Sequence, residues 1–261
     1  MRLVTYDRRG HRRLGAFLGG EVVDLPDVVG HPAFPATMEA LVSSNRGSVL
    51  DAARAALERD EAAEFVVPRA HLLSPVVPSS LRSLDAMDGV RKVLGTDEEV
   101  DWPEGAGWLD YEPKVAAVLG PPARGIGPDE AERAIFGYTL VNDWVARDSN
   151  GDPAHAADGV PVSLGPCISL AEDVDPQTMF VTVRVDGTQW AKGNLNGTAT
   201  NLAGIISGAS TQETLRAADA FAVSPFDGFG PSPERQLWPG AQVELEAEGI
   251  GILRNRLGTR I

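Results

Sequence analysis

The residues best suited to chemistry lie in the middle of the chain and are mostly charged. One stretch carries carboxylates, a lysine, an arginine and a histidine: Asp110, Glu112, Lys114, Asp143, Arg147, Asp148 and His155. Carboxylate oxygens are the ligands that hard divalent cations prefer. A buried cationic side chain can instead stabilise negative charge that develops on a carbonyl substrate. Lysine is scarce, since Lys92, Lys114 and Lys192 are the only three, and each can therefore be considered individually.

The elements that must position these residues are mostly strands. A small β-meander is predicted within residues 3–25, followed by helices around 37–42 and 48–59. From about Trp108 the pattern predicts strands at 115–119, 138–142, 180–185, 243–247 and 251–255, with helices from Pro128 and over 201–207. The prediction is an α+β chain with a β-rich core, residues 71–261, and a small N-terminal β/α domain, residues 1–70.

Composition excludes several classes of protein. The chain has 261 residues, 43% of them apolar, which is enough to bury a core without covalent staples. A single cysteine, Cys167, excludes an internal disulfide, and neither a signal peptide nor a long apolar run is evident, so we expect a cytoplasmic protein. The net charge of −14 argues against a nucleic-acid partner, because phosphate binding needs clustered basic residues.

Three segments, in order along the chain, resemble the fumarylacetoacetate hydrolase family. Residues 109–120 read L-D-Y-E-P-K-V-A-A-V-L-G, similar to the family pattern D-Y-E-x-E-L-A-x-V-I-G. Residues 135–148 read I-F-G-Y-T-L-V-N-D-W-V-A-R-D, similar to I-F-G-Y-x-x-x-N-D-x-S-A-R-D. P-G-A-Q-V at 239–243 and G-I-G-I-L-R-N at 249–255 are similar to the terminal pattern. The resemblance implies a rolled β-rich core, usually a homodimer, and a lineage that cleaves, decarboxylates or isomerises small dicarbonyl acids.

The resemblance also implies a metal site that this sequence has lost in part. In the family a divalent ion, usually Mg²⁺ or Mn²⁺, is held by both acids of E-x-E, by the Asp of N-D and often by an earlier Asp. Residues two apart on a strand face the same side, so E-x-E aims both acids at the ion, which acts as a Lewis acid. Here Glu112 and Asp143 match two ligands, but Lys114 replaces the second Glu and Ser83 stands where the earlier Asp belongs.

The general base of the family is also missing from its expected place. A histidine would fall near Val90, yet no histidine occurs between His71 and His155. The stretch that normally carries the base and a lid is shortened, because the family pattern resumes at Val93-Leu94-Gly95. We therefore do not expect metal-dependent hydrolysis by the family mechanism.

Charge arithmetic suggests what replaces the metal. Three carboxylates and a divalent ion sum to −1, as do Glu112, Asp143 and a protonated Lys114. We hypothesise that Lys114 occupies the electrostatic place of the ion and bridges Glu112 and Asp143. Burial alone would depress the pKa of a lysine, but two neighbouring carboxylates oppose that effect, so Lys114 should stay charged.

Several other residues are weaker candidates for the site, and some of them have a structural as well as a functional interpretation. Asp85 and Asp110 could supply substitute ligands, although an acid placed like Asp85, shortly before a glycine, more often caps or ends a helix. Arg147 and Asp148 could form a buried pair or a substrate clamp. His155 lies in a loop that borders the family's pocket, and Cys167 is expected to be a small buried residue. The catalytic candidates are Lys114, Glu112 and Asp143, and the substrate-binding candidates are Arg147, Asp85 and His155.

The leading hypothesis is a divergent, metal-independent family member that acts on a small carbonyl or carboxylate metabolite through an enolate-like intermediate. Lyase, decarboxylase, isomerase and cyclase chemistry all fit, and a specialised biosynthetic pathway would suit a rewritten site. One alternative is a catalytically inactive protein that binds a ligand or a partner. Another is a Mg²⁺- or Mn²⁺-dependent C–C hydrolase with substitute ligands. We expect a homodimer, a small-molecule substrate, and neither nucleic acid nor membrane as a partner.

Overall fold

Two β-sheets form the framework of the molecule. The structure is a computed structural model that describes residues 1–44, 46–83, 91–148, 150–152, 159–196, 201–226 and 236–259. Within these residues one sheet has ten strands and the other has five. None of the helices in these ranges has the length and apolar character needed to cross a membrane.

The first part of the chain is the predicted meander with helices after it. Its elements are β1 (Arg2–Arg8), β2 (His11–Leu18), β3 (Glu21–Asp24), α1 (Leu25–Val29), α2 (Met38–Ser43), α3 (Arg46–Leu57) and a 3₁₀ helix (Asp60–Phe65). Gly19 and Gly20 both have positive φ, which suits the tight turn between β2 and β3. The meander and the two longer helices are confirmed. The short helix α1, whose Asp24 N-cap accepts from Asp27 N, was missed.

The remaining elements are mainly strands, as predicted. They are β4 (Leu72–Leu73), β5 (Leu81–Ser83), β6 (Val93–Leu94), β7 (Glu99–Val100), β8 (Trp108–Leu119), α4 (Pro128–Ala134), β9 (Ile135–Arg147), β10 (Val162–Leu170), β11 (Phe180–Val185), β12 (Thr188–Asn194), α5 (Leu202–Gln212), β13 (Ala220–Val223), β14 (Gln242–Ala247) and β15 (Gly251–Leu257). The mixed, sheet-rich α+β class is confirmed.

The large sheet runs through both halves of the sequence. Its strand order is β3-β2-β1-β10-β9-β8-β13-β5, with β4 paired to β1 and β6 paired to β10. The five-stranded sheet has the order β12-β11-β14-β15-β7. Because β1 pairs with β10, the N-terminal meander continues the sheet of the core. The domain boundary after residue 70 stays a prediction.

The antiparallel pair β8–β9 forms the long centre of the large sheet. Side chains alternate across it, so Tyr111 and Trp144 enter the core cluster shared with the five-stranded sheet. The opposite face contributes Ala116, Val118 and Val141 to a second core cluster, which α1, α2 and α3 also line. The charged residues of β8 share this second face, beyond the point where its apolar packing ends. A long buried strand pair thus holds the charged residues in fixed register.

The C-terminal strand is tied to the segment between β6 and β7. The Asn255 side-chain amide donates to the carbonyl oxygens of Gly95 and Glu98, each at 2.9 Å, and Asn255 is buried. These two bonds hold that segment against β15. A buried carbonyl that loses its donor keeps its desolvation cost.

We predict that Asn255→Ala lowers the free energy of unfolding by about 2 kcal/mol, because one buried and one part-buried carbonyl group lose their donor. Urea denaturation followed by circular dichroism measures this change. Asn196→Ala, the same substitution at an exposed position, is the matched control and should leave stability within about 0.5 kcal/mol of the native value. Equal stability of the two variants would contradict a holding role for Asn255.

Candidate active site

Three of the sequence-selected residues meet on one face of β8 and β9. Glu112 and Asp143 are direct cross-strand partners, and Lys114 lies two residues further along β8 on the same face. The Lys114 Nζ atom lies 3.0 Å from Glu112 Oε2 and 2.9 Å from Asp143 Oδ2. The Lys114 side chain is 3% exposed, that of Asp143 7% and that of Glu112 30%. The structure therefore contains the predicted bridge, with Glu112 at its more open edge.

A second cation, Arg91, reaches the same cluster. Its Nη2 atom donates to Asp143 Oδ1, so each carboxylate oxygen of Asp143 has its own cationic partner. Strand register explains why Arg91 lies beside Asp143. Val162 of β10 pairs with Asp143 of β9 on one side and with Val93 of β6 on the other. Arg91 precedes Val93 by two residues. Sequence patterns alone missed Arg91, because only this long-range pairing brings it to Asp143.

The cluster is electrically balanced. Its two carboxylates face two cations, so its formal charge is zero rather than the −1 that we expected from Lys114 alone. Burial by itself lowers the pKa of Lys114, but Asp143 and then Glu112 outweigh it and raise that pKa above its ordinary value of 10.5. Lys114 is consequently an ammonium ion at neutral pH, as predicted.

Within the described part of the chain, the residues of this cluster do not fit a divalent cation. Both oxygens of Asp143 are engaged by cations, and Glu112 is held through one oxygen by the same Lys114 ammonium. Across the described ranges, no group of three or more His, Cys, Asp or Glu residues converges as a metal site would require. A divalent ion would have to displace a tethered ammonium and sit beside a guanidinium, which like-charge repulsion opposes.

A second buried pair lies next to this cluster on the same face. Arg147 Nε donates to Asp110 Oδ2 at 2.8 Å, and Arg147 Nη1 donates to the Gly151 carbonyl at 3.2 Å. The expected pairing of Arg147 with Asp148 was wrong, because Asp148 Oδ1 instead accepts backbone amides of its own loop. Asp110 is opposite Val145 in the register, which puts it within reach of Arg147.

This pairing also bears on two roles considered for these residues. The buried Asp110 carboxylate is committed to Arg147, so Asp110 does not join Glu112 as a substitute metal ligand. The Arg147 guanidinium stacks over the Trp108 ring at 5.7 Å, which adds to its fixation. These contacts are all structural, and a substrate-binding role for Arg147 stays a prediction.

The remaining candidates divide into two groups. Asp85 and His155, both proposed as substrate-binding, lie outside the described residues. Cys167 is fully buried, as predicted, and its thiol donates to the Ile250 carbonyl at 3.1 Å. Burial raises the pKa of this thiol to about 11, so it is protonated and a poor nucleophile at neutral pH.

The sequence identifies the lineage of this fold and site. Residues 82–258 match the sequence profile described as fumarylacetoacetate (FAA) hydrolase C-terminal. The chain belongs to the fumarylacetoacetate hydrolase family, as its motifs predicted.

Individual relatives share about a third or less of their aligned residues with this chain. An uncharacterised protein of Methanocaldococcus jannaschii is 33% identical over 56% of this chain, and the match spans 61% of that relative. Oxaloacetate tautomerase YisK of Bacillus subtilis is 29% identical over 58% of this chain and 52% of its own length. A 2,4-didehydro-3-deoxy-L-rhamnonate hydrolase of a Sphingomonas species is 27% identical over 94% of this chain and 83% of its own length. The first and second of these matches thus span less than two thirds of the relative.

The fold has close counterparts among solved structures. The crystal structure of maleylpyruvate hydrolase from Sphingobium sp. SYK-6 in complex with manganese(II) ion and pyruvate superposes with a TM-score of 0.78. The superposition covers all of both chains at 23% identity, so it establishes the shared fold alone.

We predict that Lys114 keeps its proton at pH 10.5, where an unperturbed lysine is half titrated. Its folded pKa is raised, so its ionic contribution to stability is complete below the unfolded pKa and is lost as pH rises through the folded pKa. Protein labelled with ¹³C at lysine Cε has only three such sites, and Lys114→Met assigns the relevant resonance in a carbon–proton correlation spectrum. A titration midpoint below 10.5 would show that burial outweighs the two carboxylates.

Proposed function

We propose that this chain is a metal-independent enzyme that transfers a proton on a small carbonyl compound carrying a carboxylate, through an enolate. The observation that carries the proposal is the buried Lys114 ammonium held between Glu112 and Asp143. Keto–enol tautomerisation or double-bond isomerisation is the reaction type that such a site serves most directly. Lyase or decarboxylase reactions through the same intermediate require the same charge stabilisation.

Lys114 supplies the electrostatic part of this mechanism. A fixed positive charge in a water-poor site stabilises negative charge as it develops on the substrate oxygen, and the site needs little reorganisation during the reaction. The raised pKa keeps Lys114 protonated, which makes it unsuited to forming a Schiff base. Asp143 fixes the ammonium from the buried side. Since both of its oxygens already accept bonds from cations, we assign Asp143 to positioning.

Glu112 is the group that we assign as general base. Lys114 holds its Oε2 atom, while the side chain stays 30% exposed at the open edge of the cluster. In the proposed step Glu112 Oε1 takes the proton from the carbon next to the substrate carbonyl. The C–H bonding pair forms the enolate double bond, and the negative oxygen lies towards Lys114. The same proton returns to the enolate oxygen or to another carbon of the conjugated system, so no co-reactant is consumed.

Two of the relatives support this chemical class. One is an oxaloacetate tautomerase, and another is a hydrolase of a didehydro-deoxy sugar acid. Both names describe chemistry on small oxygenated acids. Assembly as a homodimer remains a prediction, as does a place in a specialised biosynthetic pathway.

The test is proton exchange without metal. Pyruvate, oxaloacetate and longer 2-oxo acids are incubated in D₂O with chelator-treated protein, and loss of the C3 proton signal is followed by NMR. We predict that the native protein accelerates exchange for at least one of these acids, and that Lys114→Met slows it at least about 100-fold through loss of electrostatic stabilisation. Glu112→Gln, which keeps the size and removes the base, should slow it comparably.

Lys192→Met is the matched control, because it removes an exposed lysine on the other sheet. It should leave the exchange rate unchanged. Full activity of Lys114→Met would contradict the role of Lys114. Acceleration that appears only after Mg²⁺ or Mn²⁺ is added would favour the metal-dependent hydrolase instead. Binding of these acids without any exchange would favour the inactive ligand-binding alternative.

A further inference from the structure

Two side-chain cations share one carboxylate in the buried cluster. Asp143, on β9, accepts from Lys114 at Oδ2 and from Arg91 at Oδ1, and Glu112 pairs with Lys114 along the same strand, β8. The Lys114 side chain is 3% exposed and that of Arg91 is 26% exposed, so the second cation lies nearer the surface.

The two carboxylates converge on a single buried point. Carboxylate oxygens from opposite strands lie 3.0 and 2.9 Å from the Lys114 nitrogen, so the register of β8 and β9 aims both acids at it. Acids arranged in this way would attract a hard cation if the point were free. The charge delivered by Lys114 and Arg91 together is +2, the charge of one divalent ion.

We infer that Lys114 and Arg91 together are a built-in substitute for a divalent cation, in which Arg91 supplies half of the charge. Lys114 occupies the convergence point, and Arg91 neutralises the Asp143 oxygen that faces away from it. Both cations are covalently tethered, so the site keeps its charge at any metal concentration. Arg91 thereby acts as a positioning residue, because it holds Asp143 for Lys114.

Cation binding by variants at positions 114 and 91 tests the role of Arg91 separately from the proposed reaction. Replacing Lys114 by Glu places a third carboxylate beside Glu112 and Asp143, which is the ligand chemistry that Mn²⁺ accepts. If Arg91 carries half of the replaced charge, the new site binds Mn²⁺ well only when the guanidinium charge is removed too. Cation binding is measured without turnover, so this result is independent of whether the protein transfers protons.

The experiment compares two double variants that differ at position 91, where one has an uncharged side chain and the other a cationic side chain of similar length. Mn²⁺ is titrated into Lys114→Glu/Arg91→Met and into Lys114→Glu/Arg91→Lys, and free Mn²⁺ is measured by electron paramagnetic resonance. We predict that the first variant binds one Mn²⁺ per chain at least about tenfold more tightly than the second, because a nearby tethered cation repels the ion. Circular dichroism of each variant verifies folding.

A milder pair covers the case in which three uncompensated acids unfold the chain. Lys114→Gln/Arg91→Met and Lys114→Gln/Arg91→Lys provide an amide oxygen instead of a third carboxylate, and the same difference is expected in Mn²⁺ affinity. In each pair, Mn²⁺ should also raise the melting temperature of the variant that carries Arg91→Met, since a ligand of the native state stabilises it. Equal affinity within both pairs would overturn the inference. So would the absence of Mn²⁺ binding by both variants that carry Arg91→Met.

Discussion

The buried ion pair system centred on Lys114 is the interaction on which the site depends. Removing an ammonium ion from water costs several kcal/mol unless partners of opposite charge and good geometry compensate for it. Lys114 meets that condition through two carboxylates at about hydrogen-bond distance, and Asp143 in turn needs a second cation. The charges of Lys114, Arg91, Glu112 and Asp143 sum to zero only when all four are present. Loss of any one of them would leave the cluster with a net charge that is no longer compensated.

The rest of the fold supplies the rigidity that such a set requires. Glu112 and Asp143 are cross-strand partners in the centre of the large sheet, with a core cluster on each face of that sheet. β10 flanks β9 and pairs with β6 on its other side, which brings Arg91 to Asp143. Asn255 fastens the segment that follows β6. The positions of the charges are thus set by backbone pairing, and the geometry suits a site that must be organised before substrate arrives.

Local pattern was enough to predict some parts of this arrangement. Alternation and turn residues predicted the meander and the hairpin at Asp186-Gly187, and the i, i+2 spacing of Glu112 and Lys114 predicted their shared face. The family motifs located Asp143. The first part of β10, before Cys167, was missed, since Gly165-Pro166 interrupts its sequence pattern, although the strand continues through a bulge there.

The contacts that could not be predicted from the sequence depend on the register between strands that are distant along the chain. Arg91 reaches Asp143 through a parallel pairing of β6 with β10, and no local signal announces that pairing. The partner of Arg147 was misassigned because chain proximity favoured Asp148, whereas the antiparallel register of β8 and β9 puts Asp110 within reach. Both residues change the electrostatics, since one brings the cluster to neutrality and the other removes an acid from it.

A tethered ammonium thus performs the electrostatic task of a divalent ion at this site. Calorimetric titration of Mg²⁺ and Mn²⁺ into chelator-treated native protein measures whether the site still accepts a metal. We expect no heat of binding up to millimolar metal, because Lys114 and Arg91 already neutralise Glu112 and Asp143. Stoichiometric binding at micromolar metal would contradict it, and would mean that Lys114 leaves the carboxylates to a metal ion.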